Sequence, residues 1–437
     1  MATLESKKSE SPLSLKPAFL FPGLVLLAGL VAFAVLLAIL SPAPPHAIVM
    51  ATGTPGSAYA AFGEQYRAVL ARYGVTVNLV ATEGAVDNLR RVRDAGSGVS
   101  VAFVQAGITD AAQAPELESL GTLFYEPVWI FTRGELPASA AALVGGKRVS
   151  LGEEGSGTRH LALELINALN LDTSTSIQFA MGSREAATAL LRGEIDIAVM
   201  VAPWESEAVR RLLAAPNINA ISFPRADAHV ALRPYLNKLL VPQGVADMAG
   251  NRPPHDLVLV APKGSLVVRK DLHPALQYLL LQAASEIHSR PGIFTKAGQF
   301  PAAEPIDLPL SDQARQYHQS GAPFLQRYLP FWMAVFVARL LVLLIPIVGV
   351  AYPLFRLLQA LYGWGMRRRI FTLYGQLKYL EVALEARASG TPVDDLRADL
   401  ATLEDRANHM RVPIGFAHML YTLRTHIGLV RARVDAR

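Results

Sequence analysis

The sequence predicts an α/β chain, a two-lobed domain over residues 46–327 flanked by two transmembrane helices and followed by an α-helical tail. Three observations predict it. Short apolar β-type runs alternate through the middle of the chain with helical stretches of about ten to fifteen residues, the pattern of parallel strands covered on both faces by helices. Two long apolar runs bracket that section, and residues 366–437 carry seven-residue apolar seams. Hydrophobic residues make up 51% of the chain and charged residues 18%, too apolar for disorder. The chain has no cysteine, which excludes a disulfide framework, thiol catalysis and thiolate-held metals.

Residues 1–18 read as a cytoplasmic N-terminus. No charged side chain occurs from Pro17 to Gly63, and Phe19–Leu40 is apolar enough and, at about 1.5 Å per residue, long enough for a bilayer core of about 30 Å. A cleaved signal peptide competes, but its apolar region would run only about 7–15 residues, so an uncleaved anchor is expected. The second run, Phe331–Phe355, is interrupted only by Arg339. An alternative shifts that span to Leu340–Gly363, lets Arg339 snorkel outward and sets Tyr328, Phe331 and Trp332 among the headgroups. Lys7, Lys8 and Lys16 before the first run and Arg367, Arg368 and Arg369 after the second place both termini in the cytoplasm of a bacterial inner membrane, with the middle section outside. That section carries 24 basic and 26 acidic side chains, against 13 and 8 from 356 to 437. The basic excess is therefore a membrane flank, and no nucleic acid is expected.

Within the middle section Ala47–Thr52, Val75–Ala81, VSVAFVQ, PVWIFTR, KRVSL, SIQFA, IDIAVMV and DLVLVAP read as strands. Helices are expected over Ala58–Tyr73, DNLRRVRDA, Thr158–Leu169, REAATALLRG and ALQYLLLQAASEIH. In open α/β sheets the loops after the strands carry ligand contacts. Here those loops are Gly53-Thr-Pro-Gly-Ser57 with Tyr59, Gln105-Ala-Gly107, and Gly152-Glu-Glu-Gly-Ser-Gly-Thr-Arg159. In the last, a small-residue turn entering a helix presents backbone N–H groups at a positive helix end. Ser156 and Thr158 add hydroxyls and Arg159 a guanidinium, suited to a carboxylate or phosphate. Simple helix capping by Ser156 or Thr158 is the competing explanation. GxGxxG, GxxxxGK[ST] and GxSxG are absent, and the ten histidines lack ligand spacing. No enzyme activity, cofactor or metal is expected.

The string GKRVSLGEEGSGTRHLALELINALNL resembles the GK-x-V-x-x-G-x-x-GSGT segment of the TAXI solute-binding proteins, extracytoplasmic receptors associated with TRAP transporters. ATGTPGSAYAAFG, TEGAVDNLRRV, VAFVQAGITD and LRGEIDIAVMV resemble further elements of that family, in family order over roughly residues 46–290. Gly56-Ser57-Ala58 and Ala85 depart from its pattern. The resemblance implies a two-lobed periplasmic-binding-protein (type II-like) fold, with lobe 1 about 46–131 and 227–327 and lobe 2 about 137–222. It implies a chain crossing near Phe131–Pro137 and a return near Ser222–Asp227. A small anionic, carboxylate-bearing solute would lie in the cleft for delivery to a TRAP-type membrane permease. By position in the matching motifs, Thr54, Ser57, Tyr59, Gln105, Ser156, Gly157 and Thr158 are the foremost contacts, with Gly84, Asn88, Arg159 and Trp204 behind them.

The tail reads as three helical runs: Ile370, Leu373, Leu377, Leu380 and Leu384; Leu396, Leu400, Leu403, Ala407 and Met410; and Phe416, Leu420, Leu423, Ile427 and Val430. Thr391 and Pro392 give an N-terminal signal for the second run and Pro413 for the third. Packing of the runs on one another in a coiled coil or hairpin is expected. Self-association or a cytoplasmic partner is the alternative, and with it a transmembrane ligand sensor rather than a delivery protein.

Overall fold

The computed structural model describes residues 43–136, 139, 141–386 and 393–436, together with Gly29, Val31 and Val35. The first lobe opens with β1 (Ala47–Ala51), α1 (Ala58–Ala71), β2 (Thr76–Val80), α2 (Ala85–Arg93), β3 (Val101–Gln105) and β4 (Leu117–Tyr125). A second lobe follows with β5 (Val128–Arg133), α3 (Ala141–Val144), β6 (Arg148–Ser150), α4 (Gly157–Ala168), β7 (Ile177–Phe179) and α5 (Ser183–Arg192). It continues with β8 (Ile197–Val201), α6 (Glu207–Ala214), β9 (Ile218–Ala220), α7 (Ala226–Leu232), β10 (Asn237–Val241) and β11 (Leu257–Ala261). The chain returns to the first lobe through β12 (Lys263–Arg269), α8 (Pro274–His288), α9 (Asp312–Ser320) and α10 (Phe324–Tyr328).

Both lobes use one sheet plan. The first sheet has the order β2-β1-β3-β12-β4 and the second β7-β6-β8-β5-β9. In each, three strands joined by helices run parallel, while the strand that arrives from the other lobe runs antiparallel to both of its neighbours. The expectation of purely parallel sheets is thereby corrected: β5 and β12 enter by a direct crossing, without the helical crossover that enforces parallel pairing. The crossing also lies elsewhere than expected. β5 already belongs to the second sheet, so the chain passes over at Glu126–Pro127, ahead of Phe131–Pro137. The β10–β11 pair contributes Leu236, Val241, Leu257 and Leu259 to the second lobe's core, so the return is at Pro262, well past Ser222–Asp227. The Glu126 N–H donates to the Pro262 carbonyl at 2.9 Å, which ties the two crossings together.

The first lobe's core includes Met50, Tyr66, Phe103 and Leu279 on one face of its sheet, with Val92, Ala102, Val104 and Leu117 on the other. His288 is packed against Phe62, Phe124 and Tyr66 at ring distances of 4.7, 5.4 and 5.8 Å. Burial lowers its pKa to about 3. The unfolded chain takes up a proton below about pH 6.5 while the folded chain does not, so stability present above that pH is lost on acidification. Replacing His288 by Phe is expected to reduce the loss between pH 7 and pH 5 by about 2 kcal/mol, read from urea denaturation at the two pH values.

The chain divides into two units, Ala43–Ala338 and the segments Met1–Pro42 and Arg339–Arg437. The helical unit holds most of α11 (Phe331–Glu385), α12 (Val393–His409) and α13 (Ile414–Asp435). The three expected seams, from Ile370 to Leu384, Leu396 to Met410 and Phe416 to Val430, pack in one shared core, with Met410 and Phe416 only partly buried and Val434 added beyond the expected run. The first seam belongs to the same continuous helix as residues 331–355, where two separate helices were expected. Thr391 and Pro392 lie outside the described residues, as does all of the run Phe19–Leu40 except Gly29, Val31 and Val35. Among the described residues no helix is long and apolar enough to cross a membrane, so neither expected transmembrane helix is supported. The start of the run at 331–355 is instead packed in protein, with Phe331, Ala334 and Val335 buried. Trp332 stacks on His46 at 4.0 Å and donates to the Tyr73 carbonyl at 2.7 Å.

Candidate functional site

The loops after the parallel strands of both lobes meet in one cavity of about 70 Å³ between them. From the first lobe Thr54, Ser57, Tyr59, Gly84 and Gln105 line it; from the second, Ser156, Gly157 and Thr158. Ser57 caps α1, its Oγ accepting from the Ala60 N–H at 3.3 Å, and Ser156 caps α4, its Oγ accepting from the Arg159 N–H at 3.1 Å. Each cap leaves further first-turn N–H groups at a positive helix end beside the cavity. The Ser156 hydroxyl also donates to the Glu153 carbonyl at 2.7 Å, and Thr158 Oγ1 accepts from the Val201 N–H at 3.1 Å. Capping and a place on the wall are thus combined in the same serines.

Polar contacts join the lobes across the cleft. The Gly155 carbonyl accepts from the Val86 and Asp87 N–H groups at 3.1 and 3.0 Å, so a peptide of the second lobe occupies the N-terminus of α2. Gln105 Nε2 donates to the Gly157 carbonyl at 3.4 Å. Tyr235 of the second lobe lies over Gly107 of the first. The first-turn amides of α2 are therefore spent on closure, whereas those of α1 and α4 face the cavity.

Three of the residues read from the sequence lie elsewhere. Asn88 is fully buried beneath the wall: its amide donates to the carbonyls of Thr52 and Phe103, and its Oδ1 accepts from the Thr82 hydroxyl at 2.6 Å. It fastens the ends of β1 and β3 to the loop before α2. Arg159 is off the wall, with its guanidinium 3.8 Å from Glu154. Trp204 packs against Trp129 and Phe294 at 6.3 and 6.5 Å.

The sequence reading missed the acidic side chains of the wall: Glu83, Glu126 and Glu153. Tyr59 donates its hydroxyl to Glu126 Oε2 at 2.9 Å. Desolvation pushes the Glu126 carboxyl up to about 8, and the Tyr59 hydroxyl, buried beside it, is raised well above its usual value. Burial also raises Glu153, which the Thr54 hydroxyl partly offsets by a bond from the opposite lobe. The usable signal for Glu126 was a lone charge in the apolar string LFYEPVWIF, where an exposed position would break two strands at once. A second chamber of about 550 Å³ shares Thr54, Ser57 and Glu153 with the inner cavity and adds Arg184 and Arg192. Among the described residues no group of acidic or histidine side chains has the arrangement of a metal site.

Several solved structures are similar to this chain. A protein from Bordetella bronchiseptica RB50 matches with a TM-score of 0.40 and 17% identity, over 55% of this chain and 70% of that one. The periplasmic aliphatic sulphonate binding protein SsuA from Escherichia coli matches at 0.34 and 14%, over 55% and 72%. A periplasmic substrate-binding protein of an ABC transporter from Coxiella burnetii matches at 0.31 and 15%, over 55% and 91%. The family model described as NMT1-like matches residues 50–297, which take in most of both lobes and the walls of the cavity between them. This chain therefore belongs to the NMT1-like family.

Proposed function

We propose that the chain captures a small carboxylate-bearing solute between its lobes, on the outer face of a bacterial inner membrane, and delivers it to a TRAP-type permease. One observation carries the reading: the capped N-termini of α1 and α4, one from each lobe, border the same cavity. Closure would bring two positive helix ends onto one anionic group, a geometry suited to a carboxylate without a basic side chain in contact. Arg184 and Arg192 in the outer chamber favour entry of an anion. The TRAP partner rests on the resemblance of the GSGT segment to TAXI proteins. The location rests on the lysines before Phe19–Leu40 and the arginines at 367–369, together with the exposed apolar side chains of Phe336, Leu340, Val348 and Phe355 on α11.

The full-length chain, mixed with a panel of carboxylates and amino acids, is expected to gain thermal stability with at least one of them. At a concentration 100-fold above Kd the gain is about 2.7 kcal/mol. Trp129 and Trp204 emission is expected to change in parallel. A flat response across the panel would sink the reading.

One observation favours a ligand sensor that signals through the helical tail instead. α11 runs without a break from Phe331, buried in the α/β core, to Leu384 in the core of the helical tail. Deleting residues 366–437 discriminates: loss of a transcriptional or chemotactic response with uptake intact supports the sensor, and loss of uptake supports coupling to transport.

A further inference from the structure

We propose that Glu126 determines specificity in this cleft by receiving a cationic nitrogen of the solute, so that the bound molecule is an organic ammonium compound with an anionic group at its other end. The inference deepens, and rests on, the reading that the cleft holds a carboxylate-bearing solute. Glu126 stands at the crossing between β4 and β5, 3% exposed, and lines the cavity. Its carboxyl is met by a neutral group, the Tyr59 hydroxyl at 2.9 Å. Among the described residues no lysine, arginine or histidine lines the cavity, and the other ionisable groups across it are Glu83 and Glu153. Lys263, at the return crossing, is paired with Glu304 and lies over the Tyr125 ring at 5.3 Å.

A carboxylate buried without a cation is costly, and burial therefore favours the neutral form of Glu126 in the empty cleft. A neutral carboxyl and an amide both offer Tyr59 an acceptor, but only the carboxyl can also become an anion, and a cationic nitrogen is the partner that favours that form. Burial holds Glu126 at about 8, so at pH 7 it starts protonated. An arriving ammonium group favours the carboxylate. The carboxyl O–H bond breaks, its electron pair stays on Glu126, the proton leaves to the buffer, and the ammonium keeps its own protons. Tyr59 from α1 and the carboxyls of Glu83 and Glu153 are the other groups that face this site, and none of them supplies positive charge.

Titration calorimetry on the full-length chain at pH 7 tests this, with the matched pairs alanine and propionate, glutamate and glutarate, and γ-aminobutyrate and butyrate. Each is run in phosphate and in Tris, whose ionisation enthalpies differ. The expected result is that the amine-bearing member of at least one pair binds at least tenfold tighter than its partner and releases close to one proton. Glu126→Gln, which keeps an acceptor for Tyr59, is expected to weaken that binding at least tenfold and abolish the release. Equal binding of the des-amino acids, proton uptake, or binding of the amine without proton release in the wild-type chain would overturn the inference while leaving the solute-binding reading standing. A chain that binds none of the six compounds overturns both.

Discussion

Replacing Gly107 by valine is expected to lower solute affinity at least 100-fold, about 2.7 kcal/mol, in calorimetric titration of the full-length chain. The residue has φ +88°, and a Cβ there would stand 2.6 Å from Cε2 of Tyr235 on the opposite lobe. Tyr235 cannot easily yield, because its hydroxyl donates to Glu164 at 2.7 Å and Arg233 pairs with the same carboxylate. The lobes must then stay apart, and a cleft that does not close loses the contribution of one wall. Backbone strain alone is separated by Gly98→Val, at φ +73° with nothing within 4 Å of the added Cβ. That variant is expected to cost about 1–2 kcal/mol of stability and to leave affinity within threefold. Adding Tyr235→Ala to Gly107→Val is expected to restore affinity to within tenfold. If Gly107→Val binds as tightly as the wild type, contact at this point does not control closure.

Asn88→Ala is expected to destabilise the α/β unit by about 3 kcal/mol, because the buried Phe103 carbonyl loses its Asn88 donor and the Thr52 carbonyl and Thr82 hydroxyl are left with only each other, at 3.3 Å. At about 2–4 °C per kcal/mol for a chain of this size, the unfolding midpoint should fall by roughly 10 °C. Asn88→Asp should be no better, since a carboxylate there would face the carbonyl oxygens of Thr52 and Phe103. A midpoint within 2 °C of wild type in calorimetry would show that Asn88 is not the fastener of these strands.

Much of the fold was legible where chain chemistry is local. β1, β2, β3, β6 and β8 are apolar runs bounded by turn residues, and α1 and α4 start at serines that cap them. β4 was missed because Glu118, Ser119 and Gly121 interrupt its apolar pattern; its pairing with β12 carries register shifts that no periodicity records. The lobe boundary was misplaced for a related reason: VWIFTR reads the same whichever sheet it joins, and only its pairing with β8 and β9 settles which. Within the site, the glycine turns and hydroxyls were visible because they sit in loops with an evident role. Asn88 stood in the same motif but serves the backbone. Glu126 gave no periodic signal, since its meaning comes from Tyr59, 67 residues earlier, and from burial that only the assembled lobes create.

The two crossings at Glu126–Pro127 and Pro262 lie side by side and share a backbone bond, so they act as a pivot. Points close to a pivot travel least when the arms swing. Glu126 belongs to it, while Ser57 and Ser156 belong one to each lobe. A solute held at Glu126 would therefore keep its place there while the two lobes come together on it. If Glu126 receives the cationic nitrogen, recognition would have an order in time, with the contact at the pivot made before the helix ends of the two lobes close on the rest of the solute.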